Sequence, residues 1–263
     1  MNYRCRQRRF PYFAMEISNT PGKSQKGARE GGKGINLPST RKLAPFRGKL
    51  LDWFGEHGRH FAWREPDASL YVRIVSEVLL QRTRAETVSA FMPSFLREYP
   101  TWETLVNVSE SALAESLRPI GLYRRRASSL QRLAQEIVRR KHIYPTDREE
   151  LESIPAVGQY VANAILLFAH ASETPLLDSS MARLLRRYFN LIPTKADIRY
   201  DKLLQTMAYK TIEGGTAIFL NWAMLDLAAL HCKPTSPSCN TCPLRRSCHF
   251  AKNSPVPPLR VAT

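Results

Sequence analysis

Four of the chain's five cysteines crowd into one short stretch, Cys232, Cys239, Cys242 and Cys248, spaced C-x6-C-x2-C-x5-C. Four thiolates on one loop can enclose a single cation or a cluster, and that closure fixes the path of the backbone around them. Disulfides suit secreted chains, whereas the N-terminus MNYRCRQRRFPYFAM lacks the apolar core and cleavage site of a secretion signal. A four-cysteine zinc site is usually read from paired C-x2-C knuckles, and here only one close pair exists. On chemistry alone both zinc and an iron–sulfur cluster remain open, with the cluster favoured. Cys5 reads as a free tail thiol.

Charge narrows the partner. Thirty-nine Lys and Arg face 23 Asp and Glu, a formal excess of +16, which favours a polyanion whose counterions are released on binding. No apolar run reaches the roughly 18 residues that would cross a membrane. The expectation is a soluble intracellular monomer, cytoplasmic and nucleoid-associated if prokaryotic, without membrane contact. Residues 1–40 carry eight basic and two acidic side chains and five of the 12 glycines, which reads as a basic disordered tail. Met15 offers a second start.

Beyond Thr40 the periodicity is helical. Leu43, Phe46, Leu50, Leu51 and Phe54 recur at helix spacing, and His57-Gly58 ends the run. The pattern predicts a second helix over Tyr71–Ala90 and a third over Phe91–Glu98. Leu130, Leu133, Ala134, Ile137 and Val138 form a stripe opposite Arg132, Gln135, Arg139 and Arg140. Further helices fall at Tyr160–Ala171, Ser180–Phe189 and Ala217–Leu230, the last apolar nearly all round. With no strand pattern, the class is all-α. His170, Trp222 and Met224 read as core residues.

Several segments resemble one family in its order and spacing. NWAMLDLAALHCKPTSPSCNTCPL looks like the cluster-bearing segment of the endonuclease III and adenine glycosylase superfamily. That resemblance implies a 4Fe–4S cluster on the four cysteines, with Lys233, Arg245 and Arg246 beside DNA phosphates. LESIPAVGQYVA resembles the same superfamily's helix-hairpin-helix, whose turn offers backbone N–H groups to a phosphate. Pro155, Val157 and Gly158 would form it, Gly158 allowing a positive φ or a close approach. Ala156 stands where the family has its first glycine.

In PLLDSSMARLLRRYF, Asp178 resembles the family's catalytic aspartate, which stabilises positive charge on the sugar as the base departs. Taken alone, Asp178 or Ser179 would be a helix cap. Bifunctional members have a lysine two positions after the last hairpin glycine. Here that residue is Tyr160, whose phenol cannot form a Schiff base. Its position resembles the tyrosine of archaeal thymine–DNA mismatch glycosylases, which implies a place lining the base pocket.

WREPDASLYVRIVSEVLLQRTRAETV resembles the N-terminal helix of the adenine and thymine mismatch glycosylases and places Glu77 as a pocket acid. Flanked by Val75, Val78 and Leu79, it is expected to be desolvated, with a raised pKa suited to proton donation. Such enzymes flip the base out of the stack and fill the gap. Gln81 matches the family's intercalating glutamine, and Leu122 a second, apolar wedge. Arg124, Arg125 and Arg126 follow and are expected to hold the DNA backbone.

The resemblance, over about residues 41–250, implies two helical lobes with double-stranded DNA between them. A helical barrel with the hairpin is expected at 62–172, and a cluster domain at 41–61 with 173–250, followed by a tail at 251–263. The implied activity is monofunctional N-glycosylase action on thymine or uracil mispaired with guanine. Adenine removal from A·G or A·8-oxoguanine is the alternative. Adenine glycosylases carry a further C-terminal domain, whereas this sequence continues only 15 residues past Cys248. A non-catalytic iron–sulfur DNA-binding protein is the alternative of another class.

Overall fold

The structure, a computed structural model, describes residues 42–155 and 157–253. The basic stretch 1–40 with Cys5 and Met15, the hairpin residue Ala156, and residues 254–263 of the expected tail lie outside the described residues. Among the described residues the secondary structure is helical, as the periodicity predicts, and no helix is long and apolar enough to cross a membrane.

In chain order the helices are α1 (Leu43–His57), α2 (Leu70–Leu80), α3 (Ala85–Glu98), α4 (Trp102–Asn107), α5 (Glu110–Ser116) and α6 (Tyr123–Arg139). They continue with α7 (Arg148–Ser153), α8 (Gln159–His170), α9 (Ser179–Phe189), α10 (Lys202–Ile212), α11 (Ala217–Leu230) and α12 (His249–Asn253). The apolar stripe of α1 buries Leu43, Phe46, Leu50, Trp53 and Phe54 against α11. The helix stops at Gly58, whose N–H donates to the Phe54 carbonyl at 2.8 Å. A Cβ at Gly58 would stand 2.7 Å from that carbonyl and from the Phe54 ring, so only glycine closes this end.

The continuous helix expected over Tyr71–Ala90 is broken at Gln81–Arg84, and α3 begins at Ala85 rather than Phe91. The cause lies 45 residues away in Arg126, a buried guanidinium on α6 that donates to the carbonyls of Leu79 at 3.1 Å and Gln81 at 2.7 Å, and to the Thr83 hydroxyl. Those carbonyls would otherwise have continued the helix. Arg126 also reaches the Ile120 and Gly121 carbonyls, so it holds this chain's own backbone and not that of DNA.

Two apolar clusters form. The first gathers Phe61 to Leu166, with α6 packed on α4 and α5 and α2 packed on α8. The second joins α1 to residues 164–244, with α9 on α10, α11 and α12. Helix α8 serves both: Val161, Ala162, Ile165 and Leu166 lie in the first, Ala164 and Leu167 in the second. Helix α11 is buried along most of its length, including Met224 and Trp222. His170 is half-buried, with its ring Nε2 near the carbonyls of Tyr144 and Pro145.

Candidate active site

A cleft of about 1080 Å³ opens where α2, the starts of α6, α8 and α9, the end of α11 and the cysteine loop come together. Glu77, Tyr160 and Asp178, 101 residues apart at the extremes, all line it. Glu77 belongs to the buried face of α2 and is 2% exposed. Its carboxylate accepts a hydrogen bond from the Tyr160 hydroxyl at 2.7 Å. Burial pushes the Glu77 carboxyl up to about 7; the Tyr160 hydrogen bond and the nearby Arg64 charge pull it down, and Asp178 adds to the rise. A glutamate in this state carries a proton through much of the neutral range. The Tyr160 phenol is itself held well above its ordinary value by burial and by the charges of Glu77 and Asp178, so it remains a donor.

Asp178 is the N-cap of α9 and also borders the cleft. Its Oδ1 accepts the Met181 N–H at 2.7 Å, and both carboxylate oxygens receive the Ser180 hydroxyl, at 2.7 and 2.6 Å. Capping and a place in the cleft are therefore compatible roles for one side chain. Two donors, the Met181 N–H and the Ser180 hydroxyl, hold the carboxylate in one orientation at a helix N-terminus.

The expected wedges stand at the mouth. Gln81 ends α2 and lines the cleft, as does Leu122, which is 49% exposed in a left-handed conformation (φ 50°) ahead of α6. So large an apolar side chain left in solvent is not core packing. Arg125 and Lys233 are exposed and line the same cleft; Arg245 is exposed on the cysteine loop, outside the lining.

The hairpin differs in detail from the expectation. Gly158 is extended (φ −89°), so no positive φ calls for glycine, but a Cβ there would meet nothing within 4 Å, leaving space for a close approach from outside. Pro155 is exposed. Val157 is buried in the first core and its N–H donates to the Ile154 carbonyl at 3.0 Å, so both its side chain and its N–H have partners within the fold.

Cys232, Cys239, Cys242 and Cys248 are all partly buried, and none of them is in a disulfide. Burial, reinforced by the other three thiols, raises Cys242 to about 11; burial and the neighbouring thiols also raise Cys239 and Cys248. A guanidinium Nη1 of Arg187 lies 3.5 Å from Cys232 Sγ, and the buried Arg187 Nε has no protein partner. Sulfur atoms gathered beside an incompletely satisfied cation, where a charge on one opposes a charge on the next, fit a shared anionic metal–sulfur group. Among the described residues no three His, Cys, Asp or Glu side chains form a site for a single ion.

The family described as HhH-GPD superfamily base excision DNA repair protein matches residues 75–208, just over half of the sequence. The chain belongs to this superfamily. Among its HhH-GPD relatives, the thymine-DNA glycosylase of Aeropyrum pernix is 32% identical over 216 residues, covering 81% of this chain and 96% of the relative. The thymine/uracil-DNA glycosylase of Pyrobaculum aerophilum is 33% identical, covering 79% and 92%. The solved structure of a thermostable thymine-DNA glycosylase superposes with a TM-score of 0.71 at 26% identity, over 81% of this chain and 98% of that one.

This HhH-GPD chain also holds a charged cluster that periodicity does not reveal. Asp226, fully buried in α11, accepts from Arg59 Nε at 2.9 Å and from both terminal nitrogens of Arg64 at 2.9 Å. Arg64 borders the cleft, and its charge acts on Glu77. Its Nε and the Trp222 Nε1 are buried donors without a partner on residues that line the cleft. The sequence signal was an aspartate inside an apolar helix, which must find cations to be buried.

Proposed function

We propose that this protein is a monofunctional DNA N-glycosylase that removes thymine or uracil mispaired with guanine and leaves an abasic site. The observation that carries the reading is the Tyr160 hydroxyl bound to buried Glu77 in a cleft shared with Asp178. An amine nucleophile is replaced there by a phenol. The names of the two archaeal relatives support the choice of base.

In this reading duplex DNA lies across the cleft between a lobe at about 62–172 and one formed by 41–61 with 173–250. Gln81 and Leu122 fill the place of the flipped nucleotide, and Arg125, Lys233 and Arg245 meet phosphates. As the C1′–N1 bond lengthens, its electron pair leaves with the base and Glu77 supplies a proton to it. Asp178 stabilises the cationic sugar until water adds to C1′ and gives up a proton to the Glu77 carboxylate, which restores the acid. Cys232, Cys239, Cys242 and Cys248 would hold a 4Fe–4S cluster, which when bound stiffens the loop that presents Lys233 and Arg245.

Base release is measured on duplexes with T·G, U·G, A·G and A·8-oxoguanine pairs, followed by alkali. The expected result is alkali-dependent cleavage at T·G and U·G, abolished in Asp178→Asn. Preferential adenine release would replace the substrate assignment and keep the chemistry. No release from any duplex would favour a binding protein.

A further inference from the structure

The segment Thr174–Leu177, which leads into Asp178, is buried although it belongs to neither helix nor strand. Buried backbone of this kind must find partners for its N–H and C=O groups. Two asparagine side chains supply them. Asn221, fully buried in the apolar α11, accepts the Leu176 N–H at 2.7 Å and donates to the carbonyls of Thr174 at 3.1 Å and Ala217 at 2.9 Å. The Asn163 side chain, 1% exposed on α8, donates to the Pro175 carbonyl at 2.7 Å, while the main-chain carbonyl of the same residue accepts the Thr174 hydroxyl at 2.7 Å. Arg148 of α7 donates to its Oδ1. The chain of contacts ends on the site: Leu176, held by Asn221, accepts the Asp178 N–H on its carbonyl at 3.0 Å.

We infer that Asn163 and Asn221 are positioning residues that fix where the Asp178 carboxylate stands relative to Tyr160 and Glu77. The inference rests on the proposed role of Asp178 in stabilising a cationic sugar. Leucine would fill a similar volume but leave the Leu176 N–H and the Thr174 and Pro175 carbonyls without these partners, so the amides hold the backbone rather than merely fill space. Their locations give the amides a purpose. Asn163 shares α8 with Tyr160, one turn further on, and Asn221 shares α11 with Asp226, which holds Arg64 beside Glu77. The segment carrying Asp178 is thus tied to α8, which carries Tyr160, and to α11, whose Asp226 holds Arg64 near Glu77. Electrostatic stabilisation depends on such preset placement, because a group that must first be moved into position contributes less to the rate.

The test uses Asn221→Leu and Asn163→Leu in the full chain, with wild type and Asp178→Asn as references. Affinity is measured for duplexes holding a cationic pyrrolidine mimic of the sugar and a neutral tetrahydrofuran mimic, together with single-turnover base release from T·G. Wild type should prefer the cationic mimic and Asp178→Asn should lose that preference. Asn221→Leu should bind the neutral mimic within about threefold of wild type, lose most of the preference, and cleave about 100-fold more slowly, as expected for a displacement of about 1 Å. Asn163→Leu should move the same ratio in the same direction. Wild-type preference and rate in both variants would overturn the inference, as would parallel loss on both mimics, which is the mark of general unfolding. Should Asn221→Leu not fold, Asn221→Ser is read by the same ratio. A wild type that does not distinguish the mimics would instead remove the role of Asp178 and this inference with it.

Discussion

The Tyr160 hydroxyl donates to Glu77 Oε2 across 2.7 Å, joining α8 to α2 at the floor of the cleft. The contact works against burial: burial raises the Glu77 carboxyl, the phenol draws it down, and the balance falls at about 7. A catalytic acid is most useful when its pKa lies near the working pH.

The rate of base release should therefore fall as pH rises past about 7, because the ionised carboxylate has no proton to give. Glu77→Gln should remove this limb and slow cleavage by about 10²–10⁴-fold at lower pH. A single-turnover pH profile checks both. Stability should fall in the same direction, over a lower pH window. The carboxyl ionises near 4.5 in the unfolded chain and near 7 in the folded one, so the native state binds more protons in between and wild type loses stability as pH rises through that window. The Gln variant escapes the loss and should gain roughly 1–3 kcal/mol over wild type at pH 8 relative to pH 5, read by urea unfolding.

Wild type should give no covalent DNA adduct on borohydride treatment, since no amine stands at position 160. Tyr160→Lys places an amine beside Glu77 and Asp178 and should produce a trapped adduct, visible as a shifted band in a denaturing gel. Trapping with wild type would contradict monofunctional chemistry.

Arg126→Leu should leave the carbonyls of Leu79, Gln81 and Ile120 without a donor and unlatch the turn that presents Gln81. A loss of about 2–4 kcal/mol is expected in chemical denaturation. Arg125→Leu, one residue away but exposed, should leave stability nearly unchanged and weaken DNA binding.

Lys233→Ala and Arg245→Ala should each weaken binding to matched and mismatched duplexes alike and lower the slope of log Kd against log salt by about 1. Fluorescence anisotropy across a salt series measures it. A salt slope unchanged in either variant would place that residue away from the phosphates.

The purified protein should be brown, with iron and acid-labile sulfide, and Cys239→Ser should lose the visible absorbance. Colourless protein containing zinc would replace the cluster assignment with a four-cysteine zinc site.

Local order was legible where one physical signal dominates. The amphipathic stripe of α1, the largely apolar α11 and the entry into α9 at Asp178 are set by residues within a few turns of themselves. The break between α2 and α3 was not legible, because its cause is a guanidinium arriving from α6. Glu77 could be singled out from its apolar neighbours, but its hydrogen bond to Tyr160 spans 83 residues and depends on the packing of α2 on α8. The salt bridges of Asp226 with Arg59 and Arg64 escaped for the same reason: an acid in an apolar helix announces that it needs a cation without saying which.

Helix α8 gives one face to each apolar cluster, and this has a consequence for folding cooperativity. Neither cluster can melt without stripping a face from the helix that completes the other, so the described residues should unfold in one transition with matching calorimetric and van't Hoff enthalpies. A fragment ending at residue 172 would keep every helix of the first cluster yet expose Ala164 and Leu167, which in the whole chain are covered by the second. A change in α8 must therefore satisfy two neighbours at once.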